Sequence, residues 1–591
     1  MKHKNICCII LLISILLLSS FVTSLFADAK KLYQERIYEP VVLRGEILSA
    51  FFDVPIDEIY LYAYYDSTKS YHSIPFQIDE MEFAEDPFKP GKEDAWQDFY
   101  FAQDDGLFDF RDELVFMVRD MGDKAPDNAW IENEEARKHD RLEIKLIDPN
   151  DRSICAYVYL FRSATISDEI PAPYGFSFDP QNQVAKTKFY SLRLGQANGL
   201  IEDVIIPPPF GTGIDFFDTQ KLRFVGVFDL GILTIPIGKN GGQAANERDN
   251  LHVYHEDDVD NYHLYSTPKP IVRLIREVRQ TIRFGTFVMH QTAFYVKTKF
   301  YPFSGTISGG ADLDPETLKK EFQLEEDVYI QLDLLRQSWD FNRAAEGMTF
   351  FNRYNENVVI DGIPDQVNKA VATPVAEWTL TTGEQGSMFS YIQFEDSSWQ
   401  QVGLYFHDNK TGGQVDDTFI EGGDTGDSVS YGDQGILLQN HGAANLSLKL
   451  DFTAYFLPGN LIRSDGERLA YWVENPVLKS SRALSFSTGI NQKNSEHLPE
   501  EFQLFQNYPN PFNSFTTISF ALPNSERIRM RIIDIQGRTV AMLADRIFEP
   551  GIHNLEWNGI DEQNHPVASG VYFCEARAKE FCSVRKLIVL R

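Results

Sequence analysis

A short run of acids around one glycine is the first place in this chain where residue type and spacing suggest chemistry: Asp104-Asp105-Gly106-Leu107-Phe108-Asp109-Phe110-Arg111-Asp112-Glu113. Calcium takes roughly six to eight oxygen ligands, and an acidic loop turned by glycine supplies several of them from one segment. Asp104, Asp105, Asp109, Asp112 and Glu113 are the candidate ligands, and calcium is the one cofactor the sequence suggests. The spacing is not that of an EF-hand, because glycine at the sixth loop position would put Phe101 at the first. The same residues also read as an acidic turn before a buried strand, Leu114 to Val118.

Other constellations carry weaker chemistry. His252, His255, Glu256, Asp257, Asp258, Asp260 and His263 could ligate a transition metal. They equally form a hairpin with an acidic loop, in which His252 and His255 face opposite sides of a strand. Arg273, Arg276, Arg279 and Arg283 make a basic stripe that could grip acidic sugars through paired carboxylate contacts or pair within the protein. Asn440-His441 near tyrosines matches a polysaccharide-lyase base in composition alone, and Ile360 to Asp365 reads as a turn. No nucleophile elbow, phosphate loop, dinucleotide fingerprint or His-Glu-x-x-His helix is present. A pair of glycosidase carboxylates cannot be chosen from 86 acids, since their separation is a property of the fold.

The elements that must position these groups are mostly strands. Leu446, Leu448, Leu450, Phe452, Ala454 and Phe456 alternate with Ser447, Lys449, Asp451, Thr453 and Tyr455, predicting a long strand with one buried face. Val328, Ile330, Leu332 and Leu334 repeat the pattern, as do Leu142, Ile144 and Leu146. Helical signals are few: Asp314-Pro315-Glu316 opens a short helix to about Phe322, and Glu132 to Lys138 is a polar run. Aromatics make up 13% of the chain, with 45 Phe and 26 Tyr, which suits pleated sheets and also sugar-binding platforms. The fold class is therefore mainly β, a large antiparallel β-sandwich body with few short helices. Net charge is −31 with no basic stripe long enough for a nucleic acid, so that partner is excluded.

Residues 1–29 read as a signal peptide: Lys2 and Lys4, an apolar run Ile6 to Leu18, then the small-residue site Ala27-Asp28-Ala29. Prolines 171, 173 and 180 mark a boundary between an N-terminal β domain, 30–165, and a large central sandwich, 175–488. A polar linker, 489–500, precedes a last domain, 501–591. Three cysteines survive signal cleavage; Cys155 is a buried small hydrophobe, and Cys574 and Cys582 bond only if the hairpin loop sets them directly across from one another.

The last domain carries Asn507-Tyr508-Pro509-Asn510-Pro511-Phe512-Asn513, then Thr516 to Phe520 and Leu522-Pro523. A strand Ile528 to Ile532, Asp534-Ile535-Gln536-Gly537-Arg538, Gly551-Ile552-His553, Trp557-Asn558-Gly559, Ala568 to Phe573 and a basic final strand follow. In this order the pieces resemble the C-terminal sorting domain of type IX secretion cargo, related to the Ig-like module of flagellar hook-capping proteins. Ser514 departs from the family's usual proline. The resemblance covers Leu498 to Arg591 and implies an Ig-like β-sandwich that engages the type IX machinery. It implies export through the periplasm to the outer-membrane surface or the medium. The body carries no motif that names a reaction. Its expected role is non-catalytic binding or scaffolding on extracellular glycans; the alternative is a carbohydrate-active lyase or hydrolase.

Overall fold

The computed structural model describes residues 31–85, 96–100, 105–167, 169–196, 199–229, 234–235, 252–254, 259–284, 287–313, 329–371, 375–394, 399–411, 429–441, 446–486, 503–505, 507, 512, 516–522, 525–534, 538–548, 551–561, 565–578 and 582–589. The signal-peptide segment, the linker and the helix expected at Asp314 lie outside them. The chain falls into two compact units, one taking the chain up to Ala125 with Ile144–Ser481, the other Pro126–Glu143 with Arg482–Arg591. The boundary expected near 166–174 lies inside the first.

The first unit is organised by two large antiparallel sheets. One has nine strands in the order Val259–Ser266, Leu274–Phe284, Phe287–Phe300, Ser304–Leu313, Leu446–Leu457, Gly386–Phe394, Val375–Gly383, Thr349–Asn352, Val358–Val359. The other runs Thr234–Ile235, Phe217–Asp229, Tyr329–Phe341, Ser430–His441, Trp399–Asn409, with His252–Tyr254 also paired to Phe217–Asp229. Their facing sides share one core: Phe217, Trp339, Phe341, Ile436 and Leu438 from the smaller sheet meet Met388, Ile392, Phe452, Ala454 and Phe456 from the larger. Alternation along each strand is what delivers these side chains to one face.

The Leu446–Leu457 strand departs from the expected single buried face. Phe452, Ala454 and Phe456 enter the inter-sheet core, while Tyr455 and Leu457 are buried on the other side. There they join Trp378, Leu380, Phe389 and Tyr391 beneath an α-helix, Arg463–Glu474, and beneath Val115 and Met117 of an N-terminal strand. The sequence reading missed this helix because its apolar residues begin only at Leu469, after Gly466 and with no Ser, Thr, Asp or Asn at the N-cap. Asp465 reaches back to accept the Ile462 N–H at 3.0 Å. Gly466 is required by packing, since a Cβ there would stand 2.7 Å from the Trp378 ring. The Glu132 to Lys138 run holds only a single 3₁₀ turn, Ala136–Lys138.

The C-terminal chain builds a small sandwich of a three-stranded sheet, Gln503–Leu504, Thr516–Leu522, Gly551–Trp557, and a four-stranded sheet, Thr539–Phe548, Glu526–Asp534, Gly570–Arg577, Cys582–Val589. Ile518, Phe520, Ile528, Met530, Ile532, Cys574 and Leu587 fill its core. Arg577 pairs with Cys582, so Cys574 lies opposite Arg585 rather than opposite the other cysteine and is a free, buried thiol.

Candidate functional site

The inward alternation of the six-stranded sheet determines what its other face must carry. With Leu335, Trp339 and Phe341 in the core, Arg336, Ser338 and Asp340 project from the opposite side. The register sets Arg223 against Arg336, Lys221 against Ser338, Ser338 against Gly435, and His407 against Asp433. The result is a polar row across four strands, and it is buried: Lys221, Ser338, Asp340 and Asp433 are each 0% exposed. Gly435 keeps the strands close, because a Cβ there would lie 2.6 Å from the Ser338 Cα.

Lys221 is the hinge of the cluster. Its Nζ stands 2.8 Å from Asp340 Oδ2 and 3.5 Å from Asp433 Oδ2. The Ser430 hydroxyl donates to Asp340 Oδ1 at 2.8 Å and accepts the Asp433 backbone N–H at 3.1 Å. The Arg336 guanidinium lies 4.4 Å from the centre of the Tyr405 ring, a cation–π contact. Burial alone would raise the Asp433 pKa; Lys221 first and Arg336 next bring it below the ordinary carboxylate range. Asp433 is thus held as a buried, ionised carboxylate beside Lys221 and Arg336.

Two arginines directly opposite on neighbouring strands repel, and every buried charge loses its hydration. A sheet built for stability alone would place apolar groups here. Such clusters of costly, perturbed groups concentrate at functional sites. Chemically, the face offers an ammonium, guanidiniums and hydroxyls as donors beside two carboxylates as acceptors, with a tyrosine ring at its edge. The sequence signal was present as two polar rows of period two, Lys221/Arg223 and Arg336/Ser338/Asp340, but such a row ordinarily marks a solvated face. A separate open cleft of about 520 Å³, near Glu346, Phe351, Glu384 and Ile462, holds none of these buried charges.

The residues singled out as calcium ligands are dispersed by the fold. Asp104 lies outside the described residues. Asp105 accepts the Leu107 N–H and Asp109 the Arg111 N–H, each capping its own turn. Asp112 is buried, accepts the backbone N–H of Met81 at 3.0 Å and of Asp109 at 2.8 Å, and is pushed up to about 7 by burial. Glu113 turns to Arg273, 2.7 Å away, and takes the Tyr100 hydroxyl at 2.8 Å. Among the described residues no group of three or more His, Cys, Asp or Glu is arranged to hold a metal ion.

The basic stripe opens on an internal anchor. Arg273 is fully buried, with Nη2 2.6 Å from Asp79 and 2.7 Å from Glu113. Gln77 Oε1 accepts the N–H groups of Ile271, Val272 and Arg273, which fixes the approach of this strand. Arg276 is buried and brought down to about 10 by that burial. The side chains of Arg279 and Arg283 lie outside the described residues, as do residues 255–258 and the side chains of His252, Asp260, His263, Asn440 and His441.

In the C-terminal sandwich the Asn-Tyr-Pro-Asn-Pro-Phe-Asn box is tied down at two points. Asn507 Nδ2 donates to Thr516 Oγ1 at 2.8 Å. Phe512 is buried against Trp557, ring centres 5.5 Å apart, and its N–H bonds to Ile588 O in the final strand. The box and the C-terminal strand are therefore parts of one core. Residues 506–590 match the family model of the secretion system C-terminal sorting domain. This segment is a type IX sorting domain. The chain thus carries the element that marks cargo for export to the cell surface or the medium, and the sorting domain implies contact with the type IX machinery.

No curated sequence matches the chain. Among solved structures, an alpha-mannosidase from Enterococcus faecalis V583 is 10% identical with a TM-score of 0.35, over 88% of this chain and 54% of the mannosidase. The chain thus spans about half of that protein. Slr1438 from Synechocystis sp. PCC 6803 is 11% identical with a TM-score of 0.24, over 50% of this chain and 99% of that one. Dimeric latent PorU from Porphyromonas gingivalis is 11% identical with a TM-score of 0.14, over 73% and 35%. These likenesses are too distant to carry an argument about the body. No helix among the described residues is long and apolar enough to cross a membrane.

Proposed function

We propose that the protein is made with a cleavable signal peptide, passes through the periplasm and is delivered by its sorting domain to the outer-membrane surface or medium. There its body acts as a non-catalytic β-sandwich that binds extracellular glycans. The observation that carries the binding reading is the open cleft of about 520 Å³, where Glu346, Glu384, Gln385 and Asn460 stand beside the ring of Phe351. Sugar hydroxyls both donate and accept, so a cleft with carboxylate and amide groups side by side can satisfy several at once.

The test is size-exclusion chromatography and calorimetry of the full chain against a polysaccharide panel, with Glu384→Gln in the open cleft as the comparison. Co-elution of an intact polymer, lost in the variant while the melting temperature holds, supports binding. A panel with no binder refutes it. A second reading, a lyase or hydrolase, is favoured by two carboxylates, Glu346 and Glu384, on the lining of one open cleft, where one can act as acid and the other as base. Polymer shortened by the wild type and left whole by Glu384→Gln would establish that reading instead.

Calcium at the acidic segment also stands as a proposal, supported by the carboxylates of Asp105 and Asp109 on two successive turns of one loop. Chelation should then lower the melting temperature, and Asp105→Ala should abolish the response; an identical melt with and without chelator would remove calcium from the account.

A further inference from the structure

The outward face of the sorting domain's four-stranded sheet is unusual in composition. Along Glu526–Asp534, Ile528, Met530 and Ile532 enter the core, so Arg527, Arg529 and Arg531 stand on the solvent side. The register places Arg527 opposite Ile547, Arg529 between Asp545 and Arg577, and Arg531 between Met542 and Glu575. Glu575 in turn lies opposite Val584. Among the described residues, two carboxylates, Asp545 and Glu575, are paired with these four guanidiniums. Asp545 sits 2.7 Å from Arg527 and 3.6 Å from Arg529. Glu575 sits 2.6 Å from Arg531 and also pairs with Arg577.

The pairing of Arg527 and Arg529 with Asp545 contributes little to folding, since exposed ion pairs are worth roughly 0–1 kcal/mol. What it does is hold arginines in fixed positions while cations outnumber acids on the face. The side chains of Arg527 and Arg529 remain 70% and 59% exposed despite their pairing. Met542, Ile547 and Val584 are exposed among them. Arginine interleaved with apolar side chains is the composition of an interface centre rather than of a solvated sheet. The contrast with the rest of the molecule is sharp: the chain carries a net charge of −31, yet this face is basic.

We propose that this face is the docking surface through which the sorting domain binds an acidic strip on a protein of the export machinery. Carboxylates are the occupants that the geometry fits. Arg527 and Arg529 flank Asp545 with their planar forks held ready, so an incoming acidic side chain meets donors whose freedom is already restricted. Met542 and Ile547 supply the apolar contact that makes such an encounter persist. The proposal rests on the sorting domain and is independent of what the body binds.

The experiment compares the full chain with R527E/R529E, R527K/R529K and M542D/I547D in a host carrying the type IX machinery. It reads the fraction that a protease can reach on intact cells plus the fraction in the medium. Both R527E/R529E and M542D/I547D should cut delivery by about tenfold or more, because like-charge juxtaposition and lost apolar contact weaken docking. R527K/R529K should stay close to wild type. Melting of the purified variants controls for folding; should R527E/R529E fail to melt cooperatively, M542D/I547D carries the test. Wild-type delivery of both disruptive variants overturns the docking surface. A chain lacking 498–591 that is still delivered overturns the sorting reading itself. Phosphatidylglycerol vesicles provide the remaining arm: sedimentation of wild type with vesicles, lost in R527E/R529E without loss of delivery, would reassign the face to lipid and end the proposal.

Discussion

Removing the guanidinium of Arg273 should unfasten the N-terminal strands from the nine-stranded sheet. Arg273 is 0% exposed and holds Asp79 and Glu113, which are themselves buried on two different N-terminal strands. Burial alone would raise Glu113; the charge of Arg273 first, then Lys299, with the hydroxyl of Tyr100, hold it at about 2 instead of 4.5. That gap corresponds to about 3 kcal/mol at roughly 1.4 kcal/mol per pH unit. Deleting one partner of a buried pair costs about 3–5 kcal/mol by a separate route, because the remaining charges keep their desolvation without their counter-ion. The two figures agree, and Arg273→Met should destabilise the larger unit by about 3–5 kcal/mol at pH 7. The sign with pH follows from the depressed value. Glu113 stabilises the folded state above about pH 4.5, and that contribution disappears as the pH falls toward about 2, where it is protonated in both states. Urea melts of wild type and variant at pH 7 and pH 3 should therefore show a gap that narrows on acidification. A loss below about 1 kcal/mol at pH 7, the value of an exposed pair, would refute the reasoning. So would a gap independent of pH.

Three further outcomes follow from the same physics. Asp112 is pushed up to about 7 by burial, so the unfolded chain releases its proton first and stability should fall as pH rises from about 4 to about 7. Asp112→Asn should flatten that slope in a pH series of thermal melts; an unchanged slope would reject the assignment. Gly435→Ala should cost about 2 kcal/mol or more, because the methyl would be driven into the neighbouring strand at Ser338. Wild-type stability of that variant would show that the strands can part. Cys574 is fully buried, and burial carries its thiol up to about 12. It should resist alkylation in the native sorting domain and react on denaturation; labelling of the native protein would contradict its placement.

Much of the architecture was legible along the chain because strand structure is written in a period of two. The aromatic and β-branched alternation predicted an antiparallel β body, and the order of short motifs from Asn507 to the end identified the sorting domain before any fold was known. Local chemistry explains that legibility: turn glycines, prolines and alternating strands act on neighbours in sequence. The helix at Arg463–Glu474 escaped because its amphipathic stripe is short and its cap is an aspartate reaching backward.

The candidate site depended on distance in sequence. Lys221, Asp340 and Asp433 come from three strands of one sheet, and only strand order and register bring them within reach of a single ammonium. The sequence by itself determined which residues share a face of a strand, since alternation is a property of the extended backbone. It could not decide whether that face meets water or protein. Glu113 makes the same point in reverse: its composition advertised a metal ligand, and the tertiary structure gave its charge to Arg273. Charge is visible in a sequence, but the partner that neutralises it is chosen by packing.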